Sequence, residues 1–321
     1  MSSSCKSGQC GSGQQSACKS KEAVNARQNL NVDQALGKIR HKIMVMSGKG
    51  GVGKSTVAVN LAAGLARAGF RVGLMDVDLH GPDVCRMLNL KEPFAGSLED
   101  GKMPPWRAGD NLLVMSLENM MQDRDDPIIW RGPLKNQAIR QFIADVAWGE
   151  LDYLVIDAPP GTGDEPMTVA QMIKDAKALV VTTPQRVALA DVRKSLNFCK
   201  HVKLEVLGLV ENMSGYVCPH CGKTSDLFKT GGGEELAKSS DLPFLGRIPL
   251  DPRIMLAGDE GTPYLTGGGE SPAITALNDM VTAVMRALPA GAPATAAAPP
   301  PMAAAPTCGC QGACDPNRCD C

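Results

Sequence analysis

Residues 48–56 read Gly48-Lys49-Gly50-Gly51-Val52-Gly53-Lys54-Ser55-Thr56, between an apolar run, Ile43–Ser47, and a helix-forming stretch, Lys54–Ala68. A Gly-x4-Gly-Lys-Ser/Thr loop joining a strand to a helix is a phosphate cradle. Its glycines let consecutive backbone N–H groups turn toward one point, and the helix N-terminus adds partial positive charge. Gly48, Gly50, Gly51, Val52, Gly53 and Thr56 then surround the phosphates of a nucleotide. Lys54 lies against the β- and γ-phosphates, and Ser55 offers its hydroxyl to Mg²⁺. Lys49 differs in kind, because the cradle needs no charge at its second position. It is either a solvated lysine or a cation that reaches a nucleotide held by a facing subunit, in the manner of an arginine finger.

Outward from this loop the chain alternates. Ile43–Ser47, Val72–Asp76, Leu112–Ser116, Tyr153–Asp157, Ala178–Thr182 and Val206–Glu211 read as buried parallel strands. Helical patterns fall between them at Lys54–Ala68, Leu134–Trp148, Met167–Lys174 and Leu189–His201. The expectation is an α/β fold: a doubly wound, mostly parallel sheet with helices on both faces and functional loops at the C-terminal strand ends. Two of those ends carry acid. Asp76 and Asp78 close the second strand, where one carboxylate can face the metal's outer shell (Asp76) and the other can orient an attacking water (Asp78). Tyr153-Leu154-Val155-Ile156-Asp157 is an apolar strand ending in a Walker B carboxylate, which puts Asp157 beside Mg²⁺. The Pro159-Pro160-Gly161 turn behind it is stiff and placed to follow the γ-phosphate. The stretch from about 86 to 111 is rich in loop residues and yields no clear pattern.

The remaining signals bound the function. The chain has 321 residues with 33 basic and 34 acidic side chains, which gives no strongly basic surface for nucleic acid. No run of about 18 apolar residues is present to span a membrane, and the first twenty residues lack the apolar stretch of an export signal. A soluble, cytoplasmic protein is expected. Of its 12 cysteines only Cys85 and Cys199 stand alone, as buried small hydrophobes. Thiols clustered in a reducing compartment are metal ligands or redox groups rather than disulfides. Four parts follow: a Cys-containing extension over 1–38 with Cys5, Cys10 and Cys18; a P-loop ATPase domain over 39–288; a Pro/Ala linker over 289–306; and a flexible tail over 307–321 with Cys308, Cys310, Cys314, Cys319 and Cys321. The two terminal cysteine sets either bind a cluster or another soft metal or stay empty; their spacing does not decide.

GKGGVGKST, DVDLHGP, DAPPGTGD, ENMSGYVCPHCG and GRIPLDP, in this order across about 40–288, resemble the Mrp/ApbC group of deviant-Walker P-loop ATPases. That group stands with the MinD, ParA and nitrogenase iron-protein class. The resemblance implies slow ATP hydrolysis in a homodimer, with Lys49 acting across the dimer. It implies that Asn212 contacts adenine and that Pro249, Leu250 and Asp251 border the base. It implies an iron–sulfur carrier that passes clusters to apoproteins, with no membrane or nucleic-acid partner. Cys218 and Cys221 carry the cargo in this reading. Two thiolates cannot complete a [4Fe-4S] cluster, but two copies of the pair across a dimer axis supply four. A zinc site of the same two-plus-two form and a redox pair are the competing readings of the thiols. For the whole chain, the competing readings are a positioning ATPase of the MinD/ParA type and a zinc or copper metallochaperone.

Overall fold

A computed structural model of the chain describes residues 32–78, 81–91, 102–120, 132–218, 221, 223–267 and 269–292. Both terminal cysteine sets lie outside the described residues.

The centre of the molecule is β1 (Ile39–Ser47), flanked by β5 (Leu151–Asp157) and β6 (Lys177–Thr182). Outward on one side come β2 (Val72–Asp76), β4 (Leu112–Met115) and the short β3 (Trp106–Arg107); on the other come β7 (Glu205–Glu211) and β10 (Phe244–Arg247). The order β10-β7-β6-β1-β5-β2-β4-β3 is parallel throughout except for the β3–β4 pair. This is the doubly wound α/β sheet expected from the alternation.

Side-chain alternation explains why its strands are apolar on both faces. Met44 and Met46 of β1 and Leu154 and Ile156 of β5 enter one core. Ile43 and Val45, with Tyr153 and Val155, enter the other. The first core is covered by α3 (Gly132–Ala144), α4 (Asp164–Met172), α5 (Arg186–Val202) and α6 (Gly232–Ser239). The second is covered by α1 (Lys54–Arg67), α2 (Val84–Met87) and α8 (Pro272–Ala287), with the small α7 (Pro252–Asp259) at its margin.

Some boundaries differ from the sequence expectation. The third helix stops at Ala144 rather than Trp148, because Val146 bridges to Met103 and the Trp148 indole N–H donates to the Phe142 carbonyl at 3.1 Å. The fourth starts at Asp164 rather than Met167, since Pro166 in a first turn forfeits no helical hydrogen bond. A hairpin of β8 (Tyr216–Val217) and β9 (Thr224–Ser225), absent from the sequence reading, stands apart from the main sheet and brackets the Cys218/Cys221 pair.

Candidate functional site

The C-terminal ends of β1, β2 and β5 meet at the glycine loop. In register, Asp157 stands opposite Val45 on one side and Asp76 on the other. Lys54 opens α1 and reaches into this acidic corner. Its Nζ donates to Asp157 Oδ1 at 2.6 Å and to Ser55 Oγ at 3.2 Å, and lies 3.8 Å from Asp78 Oδ2. Both members of the Lys54–Asp157 pair are buried, at 7% and 1% side-chain exposure. A buried ammonium needs an anion, and these carboxylates supply one.

The second oxygen of Asp157, Oδ2, is buried without a hydrogen-bond partner. An orphaned carboxylate oxygen and a loop hydroxyl, on two residues that meet at Lys54 Nζ, are hard oxygen donors of the kind Mg²⁺ takes, so Asp157 and Ser55 fit that ion. Asp76 is used differently. Its Oδ1 accepts from the Asp78 N–H at 3.0 Å and its Oδ2 from the Ser116 hydroxyl at 3.1 Å. Burial, and next the charge of Asp157, hold the Asp76 carboxyl well above the ordinary carboxylate range; Lys54 and the Asp78 N–H pull the other way with less effect.

Two glycines are required by close approach. A Cβ on Gly48 would lie 2.5 Å from the Asp191 backbone, so α5 packs on the loop only if that position is bare. Gly53 sits at φ +80°, and a Cβ there would collide with the Asn212 side chain. Asn212 is drawn in because its Nδ2 donates to the Val52 carbonyl at 2.9 Å. Lys49 is half-buried and has no side-chain partner among the described residues; its carbonyl accepts from Ser47 Oγ at 2.9 Å.

Beside the loop opens a cavity of about 560 Å³, whose walls include Gly53, Thr56, Arg86, Asn212, Pro249 and Asp251. Asp251 builds this wall by capping α7: its Oδ1 accepts from the Arg253 N–H at 3.0 Å. The Arg253 guanidinium adds bonds of 2.9 and 2.7 Å and Tyr264 one of 3.1 Å. Burial pushes the Asp251 carboxyl up, but these donors outweigh it and hold it below its ordinary range.

The thiols sit on the hairpin. The Cys218 N–H donates to the Lys223 carbonyl at 3.0 Å and closes the turn, leaving Cys218 half-buried and Cys221 exposed. His220 lies outside the described residues. Among the described residues no group of three or more His, Cys, Asp or Glu side chains is gathered for a metal. Cys85 and Cys199 are buried, and burial pushes the Cys199 thiol up to about 11, which leaves it inert.

Sequence reasoning missed three residues here. Ser116 holds Asp76. Glu118, buried, takes the Arg86 guanidinium at 2.6 Å on the cavity rim. Glu211 is buried at the end of β7 and gathers donors from several elements. The signal for Glu211 was available: an apolar strand ending in an acid is the same pattern that marks Asp157.

Comparison with known proteins places this geometry. Residues 38–285 match the model of the ParA family described as NUBPL iron-transfer P-loop NTPase. The chain is 47% identical over 260 residues to a cytosolic Fe-S cluster assembly factor NUBP2 homolog from Nematostella vectensis, covering 80% of this chain and 96% of that one. It is 47% identical over 251 residues to an iron-sulfur cluster carrier protein from Methanocaldococcus jannaschii, covering 77% and 86%. Among solved structures, a nucleotide-binding protein from Archaeoglobus fulgidus in complex with ADP superposes with a TM-score of 0.65 at 38% identity, over 73% of this chain and 92% of that one. The cell division ATPase MinD from Pyrococcus furiosus superposes with a TM-score of 0.57 at 25% identity, over 77% and 99%.

Proposed function

The chain belongs to the ParA family of P-loop NTPases, in the branch described as NUBPL iron-transfer proteins, and from that premise we propose that it is an ATP-hydrolysing carrier of iron–sulfur clusters. The cluster is assembled between two copies of the chain and passed to apoproteins. The observation that carries this reading is the place of the thiol pair. Cys218 and Cys221 lie on a hairpin whose first strand bridges, through Tyr216, to Leu250 in the wall of the nucleotide cavity. A [4Fe-4S] cluster takes about four thiolates. A second copy supplies the missing pair, and the same pairing brings Lys49 to the partner's nucleotide.

ATP is the substrate of the P-loop. Its triphosphate lies in the nest formed by Gly48 to Thr56, and its base enters the cavity between Asn212 and the Pro249–Asp251 wall. Lys54 then exchanges the Asp157 carboxylate for the β- and γ-phosphates, one anion for another, which releases Asp157. Ser55 and Asp157 would hold Mg²⁺, which would offset the charge on the phosphate oxygens. Asp76 stands in the metal's outer shell, and its oxygens also hold the Asp78 N–H and the Ser116 hydroxyl. That support points Asp78 at the γ-phosphate, where its carboxylate orients the attacking water. Lys49 of the second copy steadies charge on the transferring group.

The experiment is anaerobic reconstitution with ferrous iron and sulfide, followed by transfer to an apo-ferredoxin. The wild-type chain should load a cluster on its core domain and deliver it. The Cys218→Ala, Cys221→Ala chain should do neither. Full cluster content in that double variant, with the tail cysteines replaced by serine, contradicts the assignment. Zinc in place of iron after anaerobic purification would favour the zinc reading of the same thiols.

A further inference from the structure

The hairpin that carries the thiols is tied to the molecule in a way that the carrier reading does not require. Between the end of β7 and the start of α6 the chain leaves the sheet, forms the hairpin and returns. Both ends of that excursion are held by one side chain. Glu211 is fully buried, and its Oε1 accepts from the Gly231 N–H, 20 residues later, at 2.8 Å. The Ser214 hydroxyl donates to the same oxygen, and the Gly233 N–H donates to Oε2. The Arg247 guanidinium stands 3.3 Å from Oε1 and is itself fixed by Glu234 at 2.6 Å. A buried carboxylate is costly unless its lone pairs are filled, and these are filled by donors from the loop's departure, its return and the neighbouring β10.

The same loop is stitched to the wall of the nucleotide cavity. The Ser214 N–H donates to the Ile248 carbonyl at 3.0 Å, and the Leu250 N–H donates to the Gly215 carbonyl at 2.8 Å. Tyr216 bridges to Leu250 in parallel register. Leu250 lies between Pro249 and Asp251 in the cavity wall, and Cys218 is two residues past Tyr216. The wall that meets the base and the strand that leads to the first thiol are therefore partners in one short ladder.

We propose that Glu211 is a positioning residue for the thiol pair. It anchors both ends of the 212–231 loop, so that movement of the Pro249–Asp251 wall on nucleotide binding is delivered to Cys218 and Cys221 rather than dissipated in a slack loop. Glu211 touches neither nucleotide nor cluster and acts through the loop alone. This rests on the reading of Cys218 and Cys221 as the cluster ligands.

The test uses the full chain with its eight terminal cysteines, three in the N-terminal extension and five in the tail, replaced by serine, loaded anaerobically with iron and sulfide, in three versions: otherwise unchanged, Glu211→Gln and Ser214→Ala. The Gln variant sets an amide NH2 against donor groups. The Ser214 variant removes one donor and guards against a failure to fold. Two readouts are taken: the affinity for ATP, and the ratio of cluster-loss rates with and without ATP, followed by visible absorption. ATP affinity should stay within about threefold of the unchanged chain, while cluster loss without ATP quickens by about tenfold in Glu211→Gln and the ATP ratio falls toward one. Ser214→Ala should move the same ratio in the same direction by a smaller factor. An unaltered ratio in both variants overturns the inference, as does a loss of ATP affinity in parallel with cluster loss, which marks a merely structural role. If the Cys218→Ala, Cys221→Ala chain on the same background still loads a full cluster, the carrier site itself has been misplaced; that result is distinct from a thiol-dependent cluster indifferent to Glu211.

Discussion

The acidic corner at the P-loop and the thiol hairpin are both candidate metal-binding regions, yet they are built on opposite terms. In the corner, Lys54, Asp76, Asp78 and Asp157 come from separate strands and a helix, are nearly dry, and are held by one another and by Ser116. On the hairpin, two thiols, one half-buried and one exposed, stand between two-residue strands. The corner's side chains bond one another within one chain, and among the described residues Asp157 Oδ2 is its buried oxygen without a partner. The hairpin offers two thiols, against the about four that a [4Fe-4S] cluster takes. Under the proposed function the prebuilt corner acts on the nucleotide, and the open hairpin takes up the cargo.

That contrast can be broken by substitution. The largest effect should come from Lys54→Ala, which deletes the cation of the corner; ATP hydrolysis, followed as phosphate release, should fall by about 10³-fold. Asp78→Asn should cost about 10²-fold in hydrolysis while ATP affinity changes by no more than a few-fold, since the carboxylate is read as orienting water rather than binding nucleotide. A parallel fall in affinity would assign Asp78 to binding.

Asp76 sharpens the contrast through pH. Its folded carboxyl is held above the ordinary value of 3.8, first by burial and then by Asp157. The folded state therefore keeps the proton to higher pH than the unfolded chain does. Its contribution to stability is full below the unfolded value and is lost as pH rises through the folded one. Asp76→Asn should consequently raise the melting temperature of the nucleotide-free chain at neutral pH, with the gain shrinking on acidification toward pH 4, while lowering hydrolysis. A melting temperature that falls at neutral pH would contradict the strain ascribed to this carboxyl. The smallest effect belongs to the hairpin: Cys218→Ala with Cys221→Ala should change unfolding free energy by no more than about 0.5 kcal/mol, because nothing in either core depends on these side chains.

The same contrast governs what could be read from sequence. The sheet was legible because strands covered on both faces must be apolar throughout, and because Gly48–Thr56 admits one local geometry between strand and helix. Asp76 and Asp157 were legible because each ends such a strand, and Asp78 because it follows the second strand by two residues. Glu211 ends one as well, but the residues that explain it, Ser214, Gly231, Gly233 and Arg247, are separated from it along the chain and meet it only in the fold. The hairpin escaped notice because two-residue strands have no periodicity to detect. The C-terminal helices around Pro252–Asp259 and Pro272–Ala287 carry Pro at their first turns and Asp251 and Ser271 as caps, signals that were present and not used. The bridging of two copies was never legible in one chain's periodicity. It rests on the arithmetic of ligands and on the family.

The most direct test is the native mass of the cluster-loaded chain under anaerobic conditions, with its tail cysteines replaced by serine. A species of two chains holding about four irons is expected, which falls apart into single chains when Cys218 and Cys221 are both alanine. A single chain retaining a complete cluster, with or without ATP, would contradict that expectation.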